Sequence, residues 1–222
     1  MPAIAVSRRP AACRQKFLEF FPDGFDDETY LETERAYKWK AHRAWADAFG
    51  AGRLSALVAS HRYEEVARTA LRIESRTNLL FSFEKIAIRD AALSPKGRQS
   101  FARGLHDWLG SRGELRSPFE RWIDVITRLP RHQTRVASWP VLTVFGFLAR
   151  PSTHIYLKPT VMRVAADAYG FDLHYSSKPS WETYASALAF ARRVRHDLAD
   201  LRPRDMIDVQ SFLWVLGSPE YE

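Results

Sequence analysis

Residues 149–159 read ARPSTHIYLKP, a run that alternates polar and apolar side chains between two prolines. In an extended chain successive side chains point to opposite faces. Thr153, Ile155 and Leu157 are then expected on one face, and His154, Tyr156 and Lys158 on the other. That second face carries chemistry: His serves as a general acid or base near neutral pH, and Lys offers a compact positive charge. Lys158 directly precedes Pro159, and proline favours the first position of a helix. Its ammonium and the amides of Thr160 and Val161 therefore form a candidate anion site at a helix N-terminus. The competing reading is a connector that buries Ile155 and Leu157 and leaves Lys158 in water.

A second group of interest is DMIDVQSFLW, residues 205–214. Asp205 suits a helix N-terminus or cap, and Asp208 and Ser211 stand three residues apart on one face. A carboxylate in so apolar a helix must be hydrogen-bonded if buried, and is a candidate general base if partly buried. The catalytic candidates are thus His154, Tyr156, Lys158 and Asp208, provided they converge. A third stretch, ERAYKWKAH at 34–42, holds the i,i+4 pair Glu34 and Lys38 and reads as a solvated or interface face. Candidate anion or nucleic-acid contacts are Lys158, Arg121, Arg128, Arg131 and Arg135. These arginines lie near Arg112, Arg116, Trp122 and Trp139, and Arg beside aromatic rings suits phosphate contact and base stacking. A second cluster, Arg192, Arg193, Arg195, Arg202 and Arg204, is diluted by Asp197 and Asp200. The ordinary alternative is a solvated charged face.

Several chemistries lack their motifs. The seven histidines show no HExxH or HxH spacing, and Cys13 is the single cysteine. No GxGxxG, GxxxxGK[ST] or GxSxG occurs. Neither a metal nor a cofactor is expected. The net charge of +7 points to anionic partners, nucleic acid first, although arginine-rich bacterial genomes give basic chains without such a role. No secretion-type apolar core or membrane-length apolar run is visible, so a cytoplasmic protein without a membrane partner is expected.

Helices must position these residues. The apolar spacing is helical almost throughout. It predicts about nine or ten helices in one all-α domain over 17–222, preceded by a loose basic arm at 1–16. The arm is read from its unpaired Arg8, Arg9, Arg14 and Lys16 and from Pro2 and Pro10. After a short apolar turn of helix at 17–21, the expected helices cover 27–49, 53–60, 63–75, 78–93, 95–109, 117–129, 138–148, 159–169, 181–201 and 204–216. The 27–49 helix should turn Tyr30, Tyr37, Ala41, Ala44 and Ala48 inward. The 78–93 helix should bury Leu79, Phe83, Ile86, Ala87 and Asp90 along one side. A seam between two helical lobes is expected near 130–138.

Two resemblances bear on function. Trp139, Pro140, Thr143, Phe147, Leu148, Pro151, His154, Leu157, Lys158 and Pro159, followed by residues 205–214, resemble the H-x-x-LKP and terminal D-x-IDVQSF-x-W pattern of an uncharacterised bacterial all-helical family. Gly24, Phe25, Tyr30, Glu34, Arg35, Tyr37 and Lys38 fit it as well. It implies an all-α fold and no particular chemistry. A fainter likeness, in Leu129-Pro130, Thr153-His154, Arg163-Val164 and Gly170, is to helix-hairpin-helix DNA glycosylases. The hairpin glycines are absent here, and Ser152 stands where that family carries its catalytic aspartate. The functional expectations are a helical protein associated with nucleic acid, an enzyme or small-anion binder near Lys158 and Asp208, or a protein–protein adaptor or toxin–antitoxin-type partner.

Overall fold

The computed structural model describes residues 8–111, 113–131 and 135–222. Within them the chain is all-helical, with eleven helices and no strand. They are α1 (Arg8–Phe20); α2, continuous through Glu28–Tyr30, Leu31–Arg35 and Ala36–Phe49; α3 (Arg53–Ala59); α4 (Tyr63–Glu74); α5 (Ser82–Leu93); α6 (Arg98–Gly110); α7 (Arg116–Arg128); α8 (Trp139–Ala149); α9 (Pro159–Tyr169); α10 (Trp181–Asp197); and α11 (Met206–Gly217). The buried apolar residues form one cluster running from Cys13 to Leu216. Near its centre α8 and α11 are buried nearly all round, which is why neither has a polar face.

Local chemistry sets the boundaries. Ser138 and Ser180 cap α8 and α10 with their hydroxyls, and Asp205 caps α11 by accepting from the amides of Ile207 and Asp208. Gly170 closes α9 at φ +73°, a left-handed conformation that favours glycine.

The first helix starts earlier than expected. Arg8–Phe20 is helical, and Cys13 and Phe17 are buried. Pro10 falls in the first turn, where a missing amide costs nothing. Arg14 is not unpaired, because it meets Asp200 at 2.6 Å. Residues 8–16 are thus a packed helix, and only 1–7 of the expected arm lie outside the described residues.

Two helices have a different inner face from the one their apolar spacing predicts. In α2 the turn Leu31–Arg35 is a π-helix. A π-turn adds one residue, and one residue rotates the remainder of the helix by about 100°. Tyr30 and Ala41 stay buried, but the inner stripe becomes Glu34, Arg35, Lys38, Ala41, Trp45 and Phe49. The face read as solvated is therefore an inner one. In α5 the buried stripe is Glu84, Ile88, Ala91 and Ala92, and Phe83 and Ile86 turn outward. Glu84 sets that register: it accepts from the Phe81 amide at 3.1 Å and from the Ser138 hydroxyl at 2.6 Å.

Candidate functional site

The ARPSTHIYLKP segment joins α8 to α9 and is buried on both faces. His154, Ile155, Tyr156 and Leu157 are all in the core, while Ser152 and Thr153 are exposed. A buried non-helical strand of chain needs its polar backbone satisfied. Here His154 N and Thr153 N donate to Arg150 O at 3.0 Å, and Leu157 N donates to Thr143 Oγ1 at 3.0 Å. Pro151 O accepts from Met206 N at 2.7 Å, which ties the segment to α11.

The expected catalytic face does not form. His154 lies against Trp108, with its Nδ1 3.1 Å from the Tyr184 hydroxyl and no partner for Nε2. Burial, with the Arg150 charge nearby, pulls its pKa down to about 4. It is a neutral core histidine. Tyr156 turns the other way and donates its hydroxyl to Leu79 O. Alternation separated buried from exposed in the sequence; in the fold it separates two parts of the core.

Asp208 sits in a third place. It is fully buried and accepts from Tyr30 OH at 2.6 Å, Arg35 Nη1 at 2.7 Å, Arg204 N at 2.8 Å and Arg204 Nε at 2.9 Å. Arg35 also grips Asp205, Nη1 to Oδ1 at 3.0 Å and Nη2 to Oδ2 at 2.8 Å. Burial works against the Arg35 charge, but the bonds and attraction from Asp205 and Asp208 outweigh it and raise its pKa. One turn along α2, Lys38 Nζ donates to Glu34 Oε2 at 2.9 Å and to Ser211 Oγ at 2.8 Å. Burial lowers the Lys38 pKa while Glu34 pulls it back. Tyr221 OH completes Glu34 at 2.7 Å. Glu34, Asp205 and Asp208 thus face Arg35, Lys38 and Arg204, and every charge has its partner. Residues 30–38 and 204–211, far apart in the sequence, meet in this network. With its oxygens so engaged, Asp208 ties α2, α11 and Arg204 together.

Lys158 is the exception. Its Nζ makes no hydrogen bond and no ion pair among the described residues. It lies 3.8 Å from the Phe81 ring centroid and 5.1 Å from that of Trp214, a cation–π arrangement. Burial lowers its pKa, and Glu84 and Glu220 act against that. The ammonium stands in a cleft of about 700 Å³. Phe81, Phe83, Trp139, Tyr175 and Trp214 supply its aromatic walls, and Arg135, Thr160 and Val161 also line it. Arg135 and Lys158, two of the sequence candidates, therefore share one cleft. Arg121 and Arg128 line a separate hollow with Lys96 and Asp124, and Arg131 is exposed outside both. Arg116 pairs with Glu120 and Glu182, and Arg112 lies outside the described residues.

Behind Phe81, Lys158, Trp214 and Glu220, which it shares with the cleft, lies a smaller chamber of about 190 Å³. Glu34, Tyr37, Asn78, Leu79, Tyr156 and Gln210 complete its lining. Gln210 is 4% exposed and its Oε1 has no hydrogen-bond partner among the described residues. Sequence reasoning missed Phe81, Trp214, Gln210 and Glu220 as site residues. The available signal was three bulky apolar residues, Leu80, Phe81 and Phe83, flanking the start of α5.

The largest hollow, about 1000 Å³ between α4 and α5, has mostly self-paired charges: Arg68 with Glu64, Arg89 with Asp90, and Lys85 beside Glu74. No group of three or more His, Cys, Asp or Glu among the described residues is placed to hold a metal ion. No described helix is long and apolar enough to cross a membrane. Comparison with protein-family models, curated proteins and solved structures finds no match.

Proposed function

We propose that this protein binds a small organic anion with an aromatic or apolar body in the cleft around Lys158. One observation carries the reading: Lys158 is a partly buried cation that has neither a hydrogen bond nor an ion pair among the described residues and stands in an aromatic-walled concavity, while the buried charges of α2 and α11 are all partnered. Small-molecule sites are concave and mostly apolar, with a few polar groups that fix orientation. The amides of Thr160 and Val161 begin α9 beside Lys158 and add positive partial charge where an anion would lie.

The test is a thermal-shift titration with indole-3-propionate and phenyl phosphate, on the wild type and Lys158→Met. Binding to the folded state alone stabilises in proportion to RT ln(1 + [L]/Kd). At least one probe raises the wild-type Tm, and the variant loses most of that shift. No shift with either probe, or an equal shift in the variant, contradicts the proposal.

Nucleic-acid association is the second reading. It is favoured by the net charge of +7 and by Lys96, Arg121 and Arg128 around one hollow, with Asp124 as the only acid lining it. A mobility-shift titration should then show binding that falls steeply with salt. Its absence at low salt removes this reading.

A further inference from the structure

We infer that the ligand is a zwitterion of the amino-acid type, with its aromatic group in the outer cleft, its carboxylate at Lys158 and its ammonium in the inner chamber. The inference rests on the binding role proposed for the cleft and adds the class of ligand.

The charges at the junction carry the argument. Lys158 and Glu220 both line the outer cleft and the inner chamber. Burial works against the Lys158 charge, and Glu84 and then Glu220 favour it, yet Lys158 forms no ion pair with either among the described residues. Opposite charges that face a shared space without meeting match a ligand carrying the reverse pair. A plain anion would satisfy Lys158 and lie against Glu220, and a plain cation would do the opposite.

The inner chamber is rich in acceptors. Glu220 uses Oε2 to accept from Trp214 Nε1 at 3.1 Å, and its other oxygen takes no hydrogen bond among the described residues. Gln210, nine-tenths buried, contributes an amide whose Oε1 has no partner. A buried acceptor without a donor is costly, and each one in a folded protein calls for an explanation. Glu34 adds a carboxylate held in place by Lys38 and Tyr221. An ammonium group, with three donors and no acceptor, is the complement of such a set. The chamber, about 190 Å³ and lined by carboxylates and an amide, has room for an amino group and its α-carbon and suits a polar group better than a ring. The aromatic walls of the outer cleft take the ring.

The experiment is isothermal titration of the full chain with three probes: L-tryptophan, indole-3-propionate (no amine) and tryptamine (no carboxylate). L-tryptophan binds at least tenfold more tightly than either of the others. Glu220→Gln, which keeps an acceptor for Trp214, weakens L-tryptophan and does not weaken indole-3-propionate, so that the two affinities converge. Equal affinity for L-tryptophan and indole-3-propionate overturns the zwitterion inference while the anion cleft stands. Tightest binding of tryptamine overturns it too, since Lys158 is then not the carboxylate contact. No binding of any probe overturns both readings.

Discussion

The charges of α2 and α11 and the charge of Lys158 are treated in opposite ways by the same fold. Asp208 is fully buried and has Tyr30, Arg35 and Arg204 around it; Lys38 is 1% exposed and has Glu34 and Ser211. Lys158 is only partly buried and rests on aromatic faces, and it forms no ion pair with Glu84 or Glu220 in the lining of its cleft. Removing a charge from water is costly unless it is paired and hydrogen-bonded. Complete pairing therefore marks charges whose role lies within the fold. A partly desolvated cation without an ion pair, at the edge of a concavity, is open to a ligand. The proposed function therefore places the site at Lys158 and not in the most chemistry-rich cluster of the structure.

Breaking the network should produce the largest effect. Asp208→Ala leaves the buried Arg35 with Asp205 alone, takes the acceptor from the buried Tyr30 hydroxyl, and removes the carboxylate from Arg204, whose side chain is 38% exposed. Loss of one partner from a buried ion pair costs about 3–5 kcal/mol, read as a lower urea midpoint. A loss under about 1 kcal/mol, the range of surface ion pairs, would show that the network is solvated.

The next effect comes from two buried groups outside both regions. His154 has its pKa lowered from 6.5 to about 4, so the unfolded chain takes up its proton first as pH falls. Its contribution is present above pH 6.5 and is lost as pH falls toward 4. Glu74 is the reverse, raised from 4.5 to about 7 mainly by burial. Its contribution is present below pH 4.5 and is lost as pH rises through 7. Each shift corresponds to about 3 kcal/mol, and between pH 5 and 7 the two offset one another. Unfolding of the wild type should change little over that window from these groups. His154→Gln should become more stable at pH 5 relative to pH 7, and Glu74→Gln less stable at pH 5 relative to pH 7. Parallel pH profiles for the two variants would show that neither group is buried as described.

A smaller loss is expected at Gly146. A Cβ there would stand 2.5 Å from the Trp108 ring and 3.2 Å from the His154 ring. Gly146→Ala should cost about 1–3 kcal/mol by overpacking. A neutral result would mean that the Trp108–His154 contact yields easily.

The sequence made the helices legible, because caps and apolar spacing mark them locally. Ser138, Ser180, Asp205 and Gly170 stand at the ends of their helices, and the all-α class follows from such signals. Rotation about the helix axis was less legible. The π-turn at Leu31–Arg35 leaves no apolar signature, so Glu34, Arg35 and Lys38 read as an outer face. In α5 a buried carboxylate, not an apolar residue, sets the register, and Phe83 and Ile86 turn outward against their hydropathy. Of the candidate site, Lys158 and its place before α9 were readable from Lys-Pro. His154, Tyr156 and Asp208 were separated by tertiary packing, and Phe81, Trp214, Gln210 and Glu220 were brought in by it. Residues so far apart carry no local signal of their meeting.

The smallest stability effect is expected at Lys158. Lys158→Met keeps the aliphatic length over Phe81 and removes a charge that has cation–π contacts but no hydrogen bond or ion pair among the described residues. Its urea midpoint should stay within about 0.5 kcal/mol of wild type, as for ordinary surface changes. The same variant tests the central claim most directly. Isothermal titration of wild type and Lys158→Met with L-tryptophan should show a tenfold or greater loss of affinity in the variant at unchanged stability. Equal affinity in the two proteins would contradict the assignment of Lys158 as the ligand contact.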